Sequence, residues 1–275
     1  MNLITLFQIE LIKASRRLSF WVGAVIFTLF GIMYLWFVSS GSIAINGQAF
    51  SELRLPEDWV RILGQFKTFS IVYVIVTVIM LTANEFGLKT ARQNVIDGLS
   101  KEAFFLAKLE LSIAIAVLYF GIFFLLGVGF GLTGSSAAGG VVRQQDLKLF
   151  LAYIFVLVGY GLIGLFFAFL TRSSGNAMAF SLLYIFIETI ASPLLTLKEV
   201  TAPVVQYLPT RVFDTLVDPM RFVPDEDLLL LREQFEAIGR PLPEYLPMPM
   251  AASLALGYMG MIAGAAYLVY KKRDL

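Results

Sequence analysis

Six long apolar runs alternate with polar segments along the chain. They cover residues 18–38, 68–83, 111–132, 149–170, 176–197 and 250–270, and each is close to the roughly 20 apolar residues a helix needs to cross a bilayer. The second run is the shortest and should extend back to Phe66 or forward to Phe86. Lys271, Lys272 and Arg273 stop the sixth. Ahead of the first run, residues 1–17 set Leu3, Ile4, Leu6, Phe7, Leu11 and Ile12 against Gln8, Glu10, Lys13, Arg16 and Arg17. Glu10, Lys13 and Arg17 share one helical face. This is the pattern of an amphipathic helix lying in the membrane interface, basic end towards the headgroups. A cleaved signal peptide, with Arg16 and Arg17 as its basic region and Ser42-Ile43-Ala44 as its cleavage site, is the competing reading. The run that follows is longer than the roughly 7–15 residues of a signal peptide's apolar region, which favours a retained span. The expected fold is therefore an all-α integral membrane protein: an interfacial helix followed by six transmembrane helices, one transmembrane domain over residues 1–275.

Composition agrees. Of 275 residues, 58% are apolar and 15% charged, against about 25% charged in soluble domains. Net charge is +1, too small to point to a nucleic-acid partner. The absence of cysteine and histidine removes thiol nucleophiles, disulfides, His-ligated metals and His-based acid–base chemistry. Basic residues are densest in the segments that lie inside if the N-terminus is inside, so the expected orientation is N-in, C-in. The outer segments would then be residues 39–67, with a short surface helix near Pro56, the small-residue turn 134–140, and the acidic, proline-rich loop 198–249. Within the last, Pro224-Asp225-Glu226-Asp227 starts an amphipathic helix that Gly239 ends.

The longest inner polar segment is residues 84–108, NEFGLKTARQNVIDGLSKEAFFLAK. Glu85 and Lys89 stand four apart, in the order that supports a helix. Asp97-Gly98 is a turn signal, with Gly98 suited to a left-handed backbone. Ser100 then reads as the N-cap of the next helix, with Glu102 in its first turn. Val95, Ile96 and Leu99 are apolar side chains on a segment too short to bury them. Two readings fit: a docking surface for another protein, or residues dipping into the headgroup layer.

Few residues in the spans could carry chemistry. Glu188 interrupts the fifth, where an acid is costly and is usually functional or paired. It could contact cargo on a translocation path, couple a proton, or reach water at the outer end beside Ser192-Pro193. Glycines on the third, fourth and sixth spans, including Gly257, Gly260 and Gly264, permit close helix approach. Packing within one subunit is the favoured use, dimerisation the other. The sequence has no phosphate-binding loop, no GxSxG and no nucleotide fingerprint, and no catalytic constellation. Any nucleotide hydrolysis must come from another chain.

The layout and the segment Asn84-Glu85-Phe86-Gly87 with Arg92-Gln93-Asn94-Val95-Ile96-Asp97-Gly98-Leu99-Ser100 resemble the permeases of the type-2 ABC exporter family. Tyr207-Leu208-Pro209 is similar to that family's external Leu-Pro segment. The layout agrees over the whole chain, the motifs over a smaller part of it, and the proline common after the turn in many relatives is missing. The resemblance implies a non-enzymatic half-transporter in a bacterial inner membrane, paired with an identical or related permease subunit. A separate ABC ATP-binding subunit would bind ATP and Mg²⁺, this chain holding no cofactor itself. That subunit would dock on the loop, with Val95, Ile96 and Leu99 as apolar contact and Glu85, Arg92, Asp97, Gly98, Ser100 and Lys101 around them. The loop 198–249 would cap the exit. Two other functions fit the residues: an ABC-type membrane subunit with a mechanical, assembly or signalling role, and an ion-coupled carrier using Glu188.

Overall fold

All six apolar runs fold as helices over their described residues. The computed structural model describes residues 3–40, 44–45, 48–49, 53–96, 98–133, 140–196, 202–222 and 245–273. The amphipathic helix α1 (Leu3–Ser15) precedes the long helices α2 (Leu18–Ser39), α3 (Trp59–Gly87), α5 (Lys101–Thr133), α6 (Asp146–Thr171), α7 (Ser174–Thr196) and α10 (Met248–Lys272). Shorter helices lie between them: α4 (Thr90–Ile96), α8 (Ala202–Val205) and α9 (Pro209–Thr215). A two-residue antiparallel pairing of Ala44–Ile45 with Gln48–Ala49 is the only strand structure among the described residues. The six long helices have the length and apolarity to cross a membrane, which marks the chain as a membrane protein.

The second span differs from its expected bounds. The surface helix expected near Pro56 and the span expected from residue 68 are one helix, α3, of 29 residues. Arg61, Gln65 and Lys67 depress the hydropathy of its first turns, but each is paired. Arg61 forms an ion pair with Asp58 at 3.0 Å, Lys67 forms one with Asp214 at 2.9 Å, and Gln65 accepts the Tyr34 hydroxyl at 2.7 Å. Trp59 then plugs the start of the helix, fully buried, its indole donating to the Val141 carbonyl at 2.7 Å.

Helices α3 and α6 form the buried centre, and glycine is what lets them meet. A Cβ at Gly164 would stand 3.2 Å from the Ile75 carbonyl oxygen, and one at Gly161 would stand 3.2 Å from Val74 Cγ1. Small residues at such a crossing bring two backbones together in a membrane, where dispersion and hydrogen bonding rather than the hydrophobic effect hold helices. Interhelical hydroxyl bonds add to this: Tyr153 to Ser70 at 2.9 Å and Thr77 with Tyr119 at 2.8 Å. The sixth span behaves differently. Gly257, Gly260 and Gly264 are exposed, and a Cβ at any of them meets open space. The expected packing of these three within one subunit is thereby corrected. They lie on the outer face of α10.

The segment after the fifth span is also not a simple surface loop. Val212 and Phe213 of α9 are fully buried, and the Phe213 ring covers Gly159 of α6, where a Cβ would come within 2.8 Å. The amphipathic helix expected over 224–239, and most of the turn 134–140, lie outside the described residues.

Candidate functional site

Helix α1, the end of α3, the start of α5 and the last turn of α10 meet at one end of the bundle, and there polar side chains converge. Helix α3 stops at Gly87. Leu88 caps it, and Lys89 takes a left-handed backbone with φ +59°. The helical Glu85–Lys89 pair expected from spacing does not form, because the helix ends between them. Glu85 turns inward instead. The chain restarts as α4, whose end has the Schellman pattern: Gly98 has φ +96° and the Leu99 N–H reaches back to the Asn94 carbonyl at 3.0 Å. Ser100 then accepts the Ala103 N–H at 3.1 Å, capping α5 as its sequence predicts.

Beneath this helical turn sits a buried charge cluster. The Lys108 side chain has no solvent exposure, and its ammonium bonds Glu85 Oε1 at 2.7 Å and Glu10 Oε2. Glu10 also binds Lys13 at 2.8 Å. Arg17 reaches Glu85 Oε1 and the Leu81 carbonyl, both at 3.3 Å. From α4, Asn94 donates to Glu85 Oε2 at 3.4 Å, and the Thr90 hydroxyl donates to the Glu85 carbonyl at 3.2 Å. Burial raises the Glu10 carboxyl pKa, but the attraction and hydrogen bond of Lys108, with those of Lys13, outweigh it and hold the group below its ordinary range. Three cations face two carboxylates, leaving one positive charge in excess. The cluster joins α1, α3, α4, α5 and the corner between α1 and α2 through hydrogen-bonded charges that would be expensive to separate at low dielectric.

The face of α1 that carries Glu10 is turned inward. Leu6, Glu10 and Ala14 form its buried stripe, while Ile9, Leu11 and Ile12 are exposed. The polar face expected to meet headgroups is docked on Lys108 and Glu85.

The expected docking residues divide. Ile96 is 68% exposed on α4, and Leu88, which the sequence reading passed over, is 70% exposed at the preceding bend. Leu99 is half-buried and packs back on the core, so it is not part of an outward apolar patch. Glu85 is 1% exposed and belongs to the internal cluster, not to a docking rim. Lys101 donates to the carbonyl of Lys271 in the last turn of α10 at 3.3 Å and to that of Arg273 just beyond it at 3.1 Å, where a cation meets the negative end of the helix dipole. Asp97 and the side chains of Arg92 and Val95 lie outside the described residues.

Glu188 is 6% exposed. Its Oε1 accepts the Thr210 N–H at 2.9 Å, supplying from α7 the acceptor that the first turn of α9 lacks. The reading in which it reaches water at the outer end is overturned: Oε1 is taken up by α9, and Oε2 is buried with no hydrogen-bond partner among the described residues.

The sequence places Glu10 and Arg17 on one helical face but does not by itself bring Lys108 or Glu85 to them. The available signal was Lys108 itself, a lysine between Phe104, Phe105 and Leu111, since an ionisable group among apolar neighbours must find a partner. Comparison with protein-family models and with curated proteins gave no match.

Proposed function

We propose that the chain is the membrane-spanning permease subunit of an ATP-driven exporter of the type-2 ABC class, with the charged end of the bundle in the cytoplasm. The observation that carries this reading is the link from α4 to Lys108. A short helix with the exposed apolar residue Ile96, and Leu88 exposed at the bend before it, is tied through Asn94, Thr90 and Glu85 to a buried lysine that also holds the interfacial helix. Such a joint suits a part that receives force from outside the membrane. A push on α4 would reach α3 through the hydrogen bonds of Asn94 and Thr90 to Glu85, and α5 and α1 through the ion pairs that Glu85 and Glu10 make with Lys108.

In this reading two permease subunits pair around a path, and each α4 seats on a separate ATPase that binds ATP and Mg²⁺. Closure and reopening of the ATPase pair would rock α4. The test is purification of tagged protein from native membranes in mild detergent, beside a Leu88→Asp, Ile96→Asp double variant. An ATPase recovered with the wild type and lost with the variant supports the reading. No ATPase with either contradicts it.

A further inference from the structure

Between α1, α2 and α5 runs an apolar groove of about 680 Å³, within the 300–1,000 Å³ range of small-molecule sites. Phe7 and Leu11 form one wall, Phe20 and Trp21 the second, Leu111 and Leu118 the third. The corner where α1 gives way to α2 is fixed by the Trp21 indole, which donates to the Ser15 carbonyl at 2.7 Å. Three cations cluster at this corner. Lys13 binds Glu10 and Arg17 binds Glu85. Arg16 is exposed and makes no ion pair among the described residues. Arg16, unpaired among the described residues, directly follows Ser15, which lines the groove where α1 gives way to α2, close in sequence to Lys13 and Arg17 of a buried cluster that itself carries one excess positive charge.

We infer that this groove holds one acyl chain of an anionic phospholipid, with the headgroup phosphate on Arg16. The apolar walls match a hydrocarbon chain, a planar guanidinium matches a phosphate oxygen pair, and the excess positive charge selects a lipid with net negative charge over a zwitterionic one. The occupant would lie against the side of α1 that does not carry Glu10. Its presence would therefore bear on how firmly α1 seats on Lys108. The inference does not depend on the transport reading, because its test measures binding alone.

The test is native mass spectrometry of the full-length protein in detergent, titrated with phosphatidylglycerol and phosphatidylcholine of identical chains. Wild type should retain phosphatidylglycerol with a preference of roughly fivefold, the factor a single basic side chain contributes beside an anionic membrane. Arg16→Gln, a surface change that leaves the core intact, should abolish the preference while leaving chain binding. Ala114→Phe, which fills the groove, should reduce retention of both lipids. Equal retention of the two lipids by wild type overturns the inference, as does a preference that survives Arg16→Gln.

Discussion

Lys108 and Glu85, 23 residues apart in sequence, form a 2.7 Å ion pair with neither side chain meaningfully exposed. Lys108→Met removes the cation shared by two buried carboxylates. Breaking a buried pair by deleting one partner costs about 3–5 kcal/mol, so the variant should unfold in detergent at a clearly lower midpoint. Because the pair is shielded from ions, raising salt should change the wild-type midpoint little. A variant as stable as wild type would mean that the cluster does not hold the bundle end together.

Acid should loosen the same joint. The Glu10 carboxyl is held below its ordinary range in the folded chain, so its contribution is fully present above the ordinary carboxylate value, near pH 4 to 5, and is lost as pH falls through the lowered one. Wild type should therefore lose stability on acidification below about pH 4. Glu10→Gln should start less stable and show a smaller further loss over that window. Superimposable acid profiles would contradict this assignment.

The glycines on two spans should respond in opposite ways. At Gly164 an added methyl group meets the Ile75 backbone, which cannot rotate aside, so Gly164→Ala should cost about 1–3 kcal/mol, as overpacking does. At Gly260 nothing stands within 4 Å, and Gly260→Ala should leave the stability of a single subunit within about 0.5 kcal/mol. Thermal unfolding of both variants in detergent separates the two cases, and equal losses would contradict the packing described for α6.

Glu188 offers a test of charge against hydrogen bonding. Glu188→Gln keeps an oxygen for the Thr210 N–H, whereas Glu188→Leu leaves that buried donor unpaired at about 1–3 kcal/mol. The glutamine variant should be close to wild type in stability and the leucine variant clearly worse. Equal damage from both would give the negative charge itself a role.

The parts of the fold that were legible in the sequence are those that depend on local composition. Runs such as 111–132 and 149–170 must be helical in a bilayer, because no other single segment satisfies its own backbone there. Gly98 and Ser100 act through neighbours a few residues away, so their turn and cap could be read directly. What could not be read depends on partners distant in sequence. Lys67 looks like a loop residue until Asp214 stands beside it, and the start of α3 was accordingly placed nine residues late. Glu85 looks like half of a local pair with Lys89, because four-residue spacing says nothing about a helix that ends at Gly87. Glu188 looks exposed or functional until Thr210 folds back to meet it. The outward facing of Gly257, Gly260 and Gly264 was hidden for the same reason: GxxxG spacing defines a face, not what covers it.

Docking through α4 is the central claim, and the absence of cysteine makes it directly measurable. An Ile96→Cys variant carries a single thiol, placed on the exposed side of α4. Treated in native membranes with a short thiol-to-amine cross-linker, it should give one dominant adduct, a protein with nucleotide-binding motifs, whose yield changes when ATP is added. A thiol that labels freely yet yields no such adduct would contradict the account.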